Sequence, residues 1–356
     1  MVKFIFAEDF EGCTVPHQQP PSFERFGNGS RGVEYAEFGT KGFGGRASLG
    51  LRTAYTDQGR ATEAHVASFA PLKKVGVSFH LRPSGTVAAH GNPTSSSYFA
   101  RTLGFLWDGQ IPVSDGVVTA CHPCPLFFAF DTARRPIFGR HVTNAAGATP
   151  LSAVVLYQGG LAFTEGGLMH IEMQIDVTDP AQTRSKAWIN GVLVVDDVSD
   201  NNLAGLPVGL DRSAVSGLTI AAQTGNFTHL GDLIIYDGGD VGDRIGSIVV
   251  DRNLAQPEID PDLGLLIDDQ FVSFEFDDRA VDARPAIGSL IGLTFDIKDH
   301  VDTERLKARV FDSGSLKEAS VEIAPRPFAT TVFLPTESHE DADINAMTLE
   351  IAQDVS

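Results

Sequence analysis

Cysteine is scarce in this chain, with three among 356 residues. A disulfide framework needs more pairs than that, so we expect packing alone to hold the fold. Cys121, His122 and Cys124 lie close together and offer two thiolates and an imidazole to a metal. A structural zinc site takes four ligands, and no second Cys/His pair stands at finger-like spacing. We therefore interpret these cysteines as buried or loop thiols.

Long apolar runs and excess positive charge are also missing. No stretch approaches the roughly 18 to 20 apolar residues that a membrane helix needs. The first ten residues carry one Lys followed by Glu8 and Asp9, which does not resemble a secretory signal. Acidic residues number 46 against 27 Lys and Arg, so the formal net charge is −19. Nucleic acid and anionic membranes repel such a chain, and we expect neither as a partner.

Period-two alternation and turn residues are abundant. The chain contains 24 Phe, 36 Gly and 19 Pro, which is typical of an ordered fold rich in turns. Apolar and polar residues alternate over 75–81 and 171–177, which predicts half-buried strands. Asn190-Gly191 predicts a hairpin with a type I′ turn, because both residues tolerate positive φ angles. Helix signals are confined to short segments around 303–309 and 342–352.

Many short strands between turn signals predict an all-β protein of sandwich or jelly-roll type. The composition changes near residue 250, where the stretch 251–269 contains six Asp or Glu together with Pro257 and Pro261. That stretch is typical of an extended acidic connector. We therefore predict two domains, over 1–250 and 271–356, joined by a connector over 251–270.

Several stretches resemble concanavalin A-like jelly rolls of the laminin-G type as they occur in bacteriophage virion proteins. In the first half they are FIFAEDFEG at 4–12, GGRASL at 44–49, VGVSF at 75–79 and GFLWDG at 104–109. Further along they are HIEMQI at 170–175, WING at 188–191, GDLIIYD at 231–237 and DINAMTLEI at 343–351. The resemblance implies a jelly roll over 1–250, followed by a smaller β-sandwich domain.

Two positions depart from the phage pattern. Gly231 stands where those proteins carry the first acid of a pair, and RIGS at 244–247 replaces their phenylalanine-leucine-glycine-aspartate motif. The resemblance therefore transfers no ligand site to these positions. It implies a non-enzymatic structural protein of a tailed phage or phage-like particle, made in the host bacterial cytoplasm. On the virion surface such a protein contributes to host attachment.

A virion subunit would have other virion proteins, and further copies of itself, as partners. The strands of the small domain carry more Phe and Ile than a core of that size can hide. We therefore predict that an oligomer interface forms there. Its candidate residues are Phe271, Phe274, Phe276, Phe295 and Phe333.

The main alternative is a lectin-like carbohydrate-binding module whose partner is a cell-surface glycan. Such modules stack exposed aromatic rings on sugars, since a ring has a broad apolar face. The candidate platform consists of Trp107, Tyr98 and Tyr157. Trp107 follows Phe105 by two residues, and its surroundings favour a core position over a place on the platform.

A jelly-roll glycoside hydrolase is a further alternative, although catalytic motifs are scarce. Retaining enzymes need two carboxylates about 5 to 5.5 Å apart. Glu258, Asp260 and Asp262 come closest, but Pro261 disfavours a strand there. No G-x-S-x-G elbow is present and the ten His are scattered singly, so we expect no serine or cysteine nucleophile. We expect no enzyme.

One loop has the composition of a cation site. Asp237, Asp240 and Asp243 follow one another at three-residue spacing in a Gly-rich stretch. Oxygen ligands crowded on a flexible turn suit Ca²⁺, yet the same acids suit an ordinary solvated turn. We expect no cofactor, with Ca²⁺ as the alternative.

Overall fold

A computed structural model gives the structure of the chain, which divides into two compact units, Met1–Val250 and Asp251–Ser356. In the first unit it describes residues 3–8, 25–26, 33–38, 49–53, 63–83, 101–108, 124–130, 135–142, 152–161, 167–200, 211–221, 228–238 and 244–247. In the second unit it describes strands alone, over 255–257, 272–276, 293–298, 305–312, 315–323, 329–334 and 347–354.

The first unit is built from antiparallel strands. Their bounds are β1 (Lys3–Glu8), β2 (Arg25–Phe26), β3 (Val33–Phe38), β4 (Leu49–Thr53), β5 (Glu63–Leu72), β6 (Lys74–Pro83), β7 (Arg101–Asp108), β8 (Phe127–Phe130), β9 (Pro136–Val142), β10 (Ser152–Gln158), β11 (Met169–Asp176), β12 (Gln182–Ile189), β13 (Val192–Asp200), β14 (Asp211–Ala221) and β15 (Thr228–Asp237).

These strands form two sheets. Sheet I has the order β13-β12-β11-β6-β15-β4-β3, and β1 also pairs with β15. Sheet II has the order β10-β9-β8-β7-β14-β5-β2. Both sheets combine neighbours that are consecutive in the chain, such as β12 and β13, with neighbours that are distant, such as β6 and β15, as in a jelly roll. The predicted all-β sandwich is therefore confirmed, and no helix occurs among the residues described.

The alternation read from the sequence places the core between the two sheets. On β6, Val77 and Phe79 are fully buried, and on β11 Ile171 is too. Phe79 meets Phe128 of sheet II edge to face, with ring centroids 6.1 Å apart. Aromatic pairs favour this geometry, and their burial supplies much of the hydrophobic stabilisation. The inward faces of the two sheets thus form one continuous core.

The predicted hairpin is confirmed at the turn between β12 and β13. Asn190 has φ 48° and Gly191 has φ 84°, as a type I′ turn requires. The turn is also tied to β11, because the backbone N–H of Asn190 donates to the carbonyl of His170 over 2.9 Å.

Cys124 lies buried beneath sheet II, and its backbone N–H donates to Nδ1 of His141 over 2.9 Å. It therefore occupies a packed position, as the sequence suggested for the cysteines. Cys121 and His122 lie outside the described residues. No helix within the described parts of the chain is long and apolar enough to span a membrane.

The second unit is also made of strands. Their bounds are β16 (Ala255–Pro257), β17 (Val272–Phe276), β18 (Leu293–Lys298), β19 (Arg305–Asp312), β20 (Ser315–Ile323), β21 (Ala329–Leu334) and β22 (Met347–Asp354). Five form a sheet in the order β16-β17-β22-β19-β20, and β18 pairs with β21. The two segments with helix signals are largely the strands β19 and β22, which pair with each other. Strand pairing therefore overrides the local helix propensity of these two segments.

Candidate functional site

The outer face of sheet I, directed away from sheet II, is unusually polar where β11, β6 and β15 run side by side. Residues that alternate with the core residues of these strands point here. The polar side chains buried on this face are Ser78, His80, His170, Glu172, Gln174, Asp232 and Tyr236. Buried polar groups must be hydrogen-bonded or they destabilise the fold, so their partners define the site.

Tyr236 crosses the middle strand of the three. It pairs in register with Gly76 of β6, and its ring packs directly against that glycine. A Cβ at position 76 would lie 2.1 Å from Cζ of Tyr236, so only glycine leaves room. The ring thereby reaches β11, where Gln174 donates to its hydroxyl over 2.8 Å and the hydroxyl donates to Glu172 over 2.7 Å. Burial, followed by the nearby Glu172 carboxylate, raises the pKa of Tyr236.

Glu172 anchors a later part of the chain to this face. Its side chain is fully buried. Its carboxylate accepts the backbone N–H of Ile245 over 2.9 Å and that of Gly246 over 3.2 Å. Nε of Arg244 lies 3.5 Å from the same group. We call residues 244–247 the covering segment, because it lies over the outer face and shields Glu172 from solvent.

The covering segment also touches the hairpin turn. Nη1 of Arg244 donates to the carbonyl of Gly191 over 2.9 Å. Asn190 in that turn accepts the backbone N–H of His170 through its side-chain oxygen over 2.8 Å. Three parts of the chain that are far apart in sequence, at 170–172, 190–191 and 244–247, are therefore held together by hydrogen bonds.

A row of titratable side chains runs across the three strands beside the covering segment. His170 on β11 pairs in register with His80 on β6, and their ring centroids are 5.1 Å apart. Asp232 on β15 places Oδ2 2.9 Å from Nδ1 of His80. On the other side of that imidazole, Nε2 lies 2.8 Å from Oγ of Ser247. His80 is thus held between a carboxylate and a hydroxyl.

Asp232 reaches the outer face through a β-bulge. The register of β15 against β6 shifts by one residue between Gly231 and Ile234. Asp232 is the extra residue, with φ 51°, in the left-handed region that aspartate tolerates better than most residues. An uninterrupted strand would direct this side chain into the core instead. The bulge therefore determines that His80 has a carboxylate neighbour.

His170 differs from His80 in its partner. Nε2 of His170 lies 2.8 Å from Oγ of Ser78, and that hydroxyl also reaches the carbonyl of Gly246 over 3.3 Å. Burial lowers the pKa of His170 to about 4, and the neighbouring His80 and Arg244 act in the same direction. His170 is therefore a neutral imidazole near pH 7.

An open pocket of about 340 Å³ lies over this row. Its size is near the lower end of the range for small-molecule sites. The pocket brings together imidazole, amide, guanidinium and hydroxyl groups around one exposed aliphatic side chain. Its lining residues are His80, Leu168, His170, Asn190, Gly191, Arg244 and Ser247.

Two residues of the candidate sugar platform, Trp107 and Tyr157, lie within the described part of the chain. Trp107 is only 1% exposed and packs inside the sandwich, so it has no ring face available for a sugar. Its assignment as a ligand residue is therefore corrected to a core role. Tyr157 is half-buried on β10 of sheet II, with its ring centroid 6.2 Å from that of Phe138. Tyr98 lies outside the described residues.

The residues predicted for a calcium site and for an oligomer interface lie partly outside the described residues. Asp237 ends β15 and pairs in register with Val75, whereas Asp240 and Asp243 lie outside the described residues, so the calcium alternative stays a prediction. The interface phenylalanines 274 and 276 lie on β17, 295 on β18 and 333 on β21. Phe271 lies outside the described residues. That interface also stays a prediction.

Sequence reasoning missed the site residues themselves. The alternation over 75–81 and 171–177 predicted half-buried strands, which places Ser78, His80 and Glu172 on the solvent face. A usable signal was present, since neighbouring strands both carry His, Ser or Glu at outward positions. It could not be read without the strand order, which makes β6 the neighbour of both β11 and β15.

The fold and this face define the class of protein as a β-jelly roll with a polar pocket on one sheet. No family model matches the chain, and no curated protein matches its sequence. Solved structures do share the fold. An endo-β-1,4-glucuronan lyase from the fungus Trichoderma reesei is 9% identical, with a TM-score of 0.38, over 65% of this chain and 94% of the lyase.

Two further solved structures are similar at the same level. The marine PL-14 alginate lyase from Aplysia kurodai is 9% identical over 65% of this chain and 98% of its own, with a TM-score of 0.38. The CBM2 module of an evolved Dit protein from Lactobacillus casei BL23 phage J-1 is 12% identical, with a TM-score of 0.34. It covers 66% of this chain and 96% of its own. Likeness at this level concerns the fold alone.

These similarities correct one expectation. The prediction that the chain is not an enzyme was based on its lack of catalytic motifs and on its resemblance to virion proteins. Several of the similar solved structures are polysaccharide lyases, and the prediction of no enzyme is corrected on that account. Beyond the all-β sandwich, the resemblance to phage virion proteins stays a prediction.

Proposed function

We propose that the first unit is a carbohydrate-active jelly roll that binds a glycan in the pocket over His80 and His170. The observation that carries this proposal is the lining of the pocket. Hydrogen-bonding groups of four chemical kinds surround one exposed aliphatic side chain, Leu168, which is 47% exposed.

A sugar ring matches this lining in two ways. Its hydroxyls both donate and accept hydrogen bonds, and the pocket offers Ser247 and Asn190, which do the same, beside the donor Arg244. Its C–H face is apolar and packs against an aliphatic side chain such as Leu168. The polar groups are also held in place by the contacts of the covering segment and the hairpin turn, so little order has to be acquired on binding.

Binding to a panel of immobilised polysaccharides tests the proposal. We expect the protein to be retained by at least one of them, and Leu168→Ala to weaken binding about five-fold, because part of a leucine contact is worth about 1 kcal/mol. Leu161→Ala is the matched control, since Leu161 is 85% exposed and does not line the pocket. Retention by no polysaccharide, or equal binding by the two variants, would contradict the proposal.

The more specific expectation of a phage particle stays a prediction. On that hypothesis the glycan belongs to the host surface, and the jelly roll is displayed for attachment. Cryo-microscopy of purified particles, or genes for portal, capsid and tail proteins beside this one, would test it.

A further inference from the structure

Ser247 of the covering segment, together with His80 and Asp232 of the row beside it, has the geometry of a nucleophile, a base and a positioning group. Oγ of Ser247 lies 2.8 Å from Nε2 of His80, and Nδ1 of the same ring lies 2.9 Å from Oδ2 of Asp232. One imidazole thus bridges a hydroxyl and a carboxylate through its two nitrogens. This relation defines serine hydrolases on unrelated folds, whatever the order of the residues in the chain.

We propose that Ser247 and His80, positioned by Asp232, hydrolyse carboxylic esters in this pocket. The chain order His80, Asp232, Ser247 needs no G-x-S-x-G elbow, because here the nucleophile comes from the covering segment. The scattered positions of these residues explain why the sequence predicted no serine nucleophile.

Solvent exposure decreases from Ser247 to His80 and Asp232, as the mechanism requires. Ser247 is exposed and lines the pocket, where a substrate can reach it. His80 is 5% exposed and Asp232 is 3% exposed, so the carboxylate is shielded from water. The His80 and Asp232 atoms are close but not aligned as a linear hydrogen bond. Catalytic pairs often tighten only when substrate binds.

The second histidine does not oppose the charge that the mechanism creates. His80 becomes an imidazolium when it takes the serine proton, and a charged neighbour 5.1 Å away would disfavour that state. Burial keeps His170 neutral near pH 7, with its pKa lowered to about 4. Arg244 is the cation that faces the same pocket, and its guanidinium is balanced by the buried carboxylate of Glu172.

The reaction balances without a further reagent. Oγ of Ser247 attacks the ester carbonyl carbon, and its proton passes to Nε2 of His80. The tetrahedral intermediate expels the alcohol, which takes that proton, and leaves an acyl group on Ser247. Water then attacks the acyl carbon, gives a proton to His80, and releases the carboxylic acid with the serine restored. Asn190 and Arg244 carry the N–H donors in the pocket for the transient oxyanion.

The class of substrate follows if the glycan proposal is right: an O-acylated sugar, whose hydroxyl is the leaving alcohol. This step rests on the proposed function, whereas the chemistry of Ser247 does not. The two are therefore tested separately, with a small ester and a covalent probe for the triad, and with an acetylated polysaccharide for the substrate.

The first experiment uses the full chain with a fluorophosphonate probe and 4-nitrophenyl acetate. We expect mass spectrometry to find the probe on Ser247, and Ser247→Ala to lose both labelling and hydrolysis. Thr178→Ala is the matched control, because Thr178 is an exposed hydroxyl residue outside the pocket. It should keep the wild-type rate. An unlabelled Ser247, or equal rates for the two variants, would overturn the triad.

Asp232→Asn tests the positioning role. We expect kcat to fall about 10³- to 10⁴-fold with KM nearly unchanged, because an amide favours the wrong imidazole tautomer. Far-ultraviolet circular dichroism confirms the fold of each variant. An unchanged kcat in folded Asp232→Asn would remove Asp232 from the mechanism.

The second experiment measures acetate released from acetylated xylan. Release that disappears in Ser247→Ala supports the sugar ester, and hydrolysis of the small ester alone overturns it. A wild-type chain that is retained by polysaccharides but neither labelled nor hydrolytic leaves the proposed function standing without the triad. Labelling at Ser247 without retention by any polysaccharide supports the triad and contradicts the proposed glycan binding.

Discussion

Glu172 gives the sharpest test of how the site is held together. Its fully buried carboxylate accepts hydrogen bonds from the hydroxyl of Tyr236 and from the backbone N–H groups of Ile245 and Gly246, with Arg244 beside it. Glu172→Ala leaves all of these donors without their acceptor. Removing one partner from a buried charged network costs about 3 to 5 kcal/mol, so we expect the free energy of unfolding to fall by that amount.

Glu172→Gln separates charge from shape. The amide keeps the volume and one accepting oxygen, but its NH₂ group faces a backbone N–H of the covering segment. We expect a loss of about 2 to 3 kcal/mol, since a hydrogen bond to a charged group contributes about 1.5 to 3 kcal/mol. Urea unfolding measures this loss in the free energy of unfolding. The fluorescence of Trp188, which pairs in register with Glu172, is the probe.

Asp196→Asn is the matched control, because Asp196 is an exposed acid on the neighbouring hairpin and its loss changes the net charge equally. It should shift stability by less than about 0.5 kcal/mol. Hydrogen exchange at Ile245 and Gly246 adds a local readout. Both amides should be protected in the wild type and exchange quickly in Glu172→Gln. A Glu172→Gln variant as stable as Asp196→Asn, with protected amides, would refute the reasoning.

Three further predictions concern single residues. Gly76→Ala should destabilise the first unit by about 2 to 4 kcal/mol in urea unfolding, because the added methyl group displaces the ring of Tyr236 and breaks its hydrogen bonds. Gly191→Val should lower stability by about 1 to 3 kcal/mol, since valine is strained at φ 84°; an unchanged midpoint would contradict this. The pKa of His170 falls from 6.5 to about 4 on folding, so the unfolded chain binds the proton first as the pH drops. Stability should therefore be full above pH 6.5 and decline by up to about 3 kcal/mol towards pH 4, a decline that His170→Gln should flatten.

The parts of the fold that depend on local pattern could be predicted from the sequence. Alternation over 75–81 and 171–177 identified two central strands and their inward residues. Asn190-Gly191 identified the hairpin, because few other dipeptides accept two successive positive φ angles. These features depend only on residues close together in the chain.

The site depended on information that local pattern does not contain. Outward positions such as His80 and Glu172 were assigned to solvent, and they are buried because the covering segment arrives from far along the chain. The segments around 303–309 and 342–352 carried helix signals, yet their residues pair as β19 and β22, with Arg309 opposite Glu350. In both cases a long-range partner decides the outcome, and a single sequence does not name that partner.

The bulge at Asp232 supplies a carboxylate to the outer face, although the sheet does not need it for its strand pairing. Deleting this one residue would restore a continuous ladder between β15 and β6, and the strands on either side would keep their core side chains. The shortened chain would retain its architecture and lose the carboxylate next to His80. One inserted residue therefore separates a plain jelly-roll ladder from one that places a buried carboxylate 2.9 Å from an imidazole. Related chains could gain or lose this carboxylate by changing length here, with no substitution in the core.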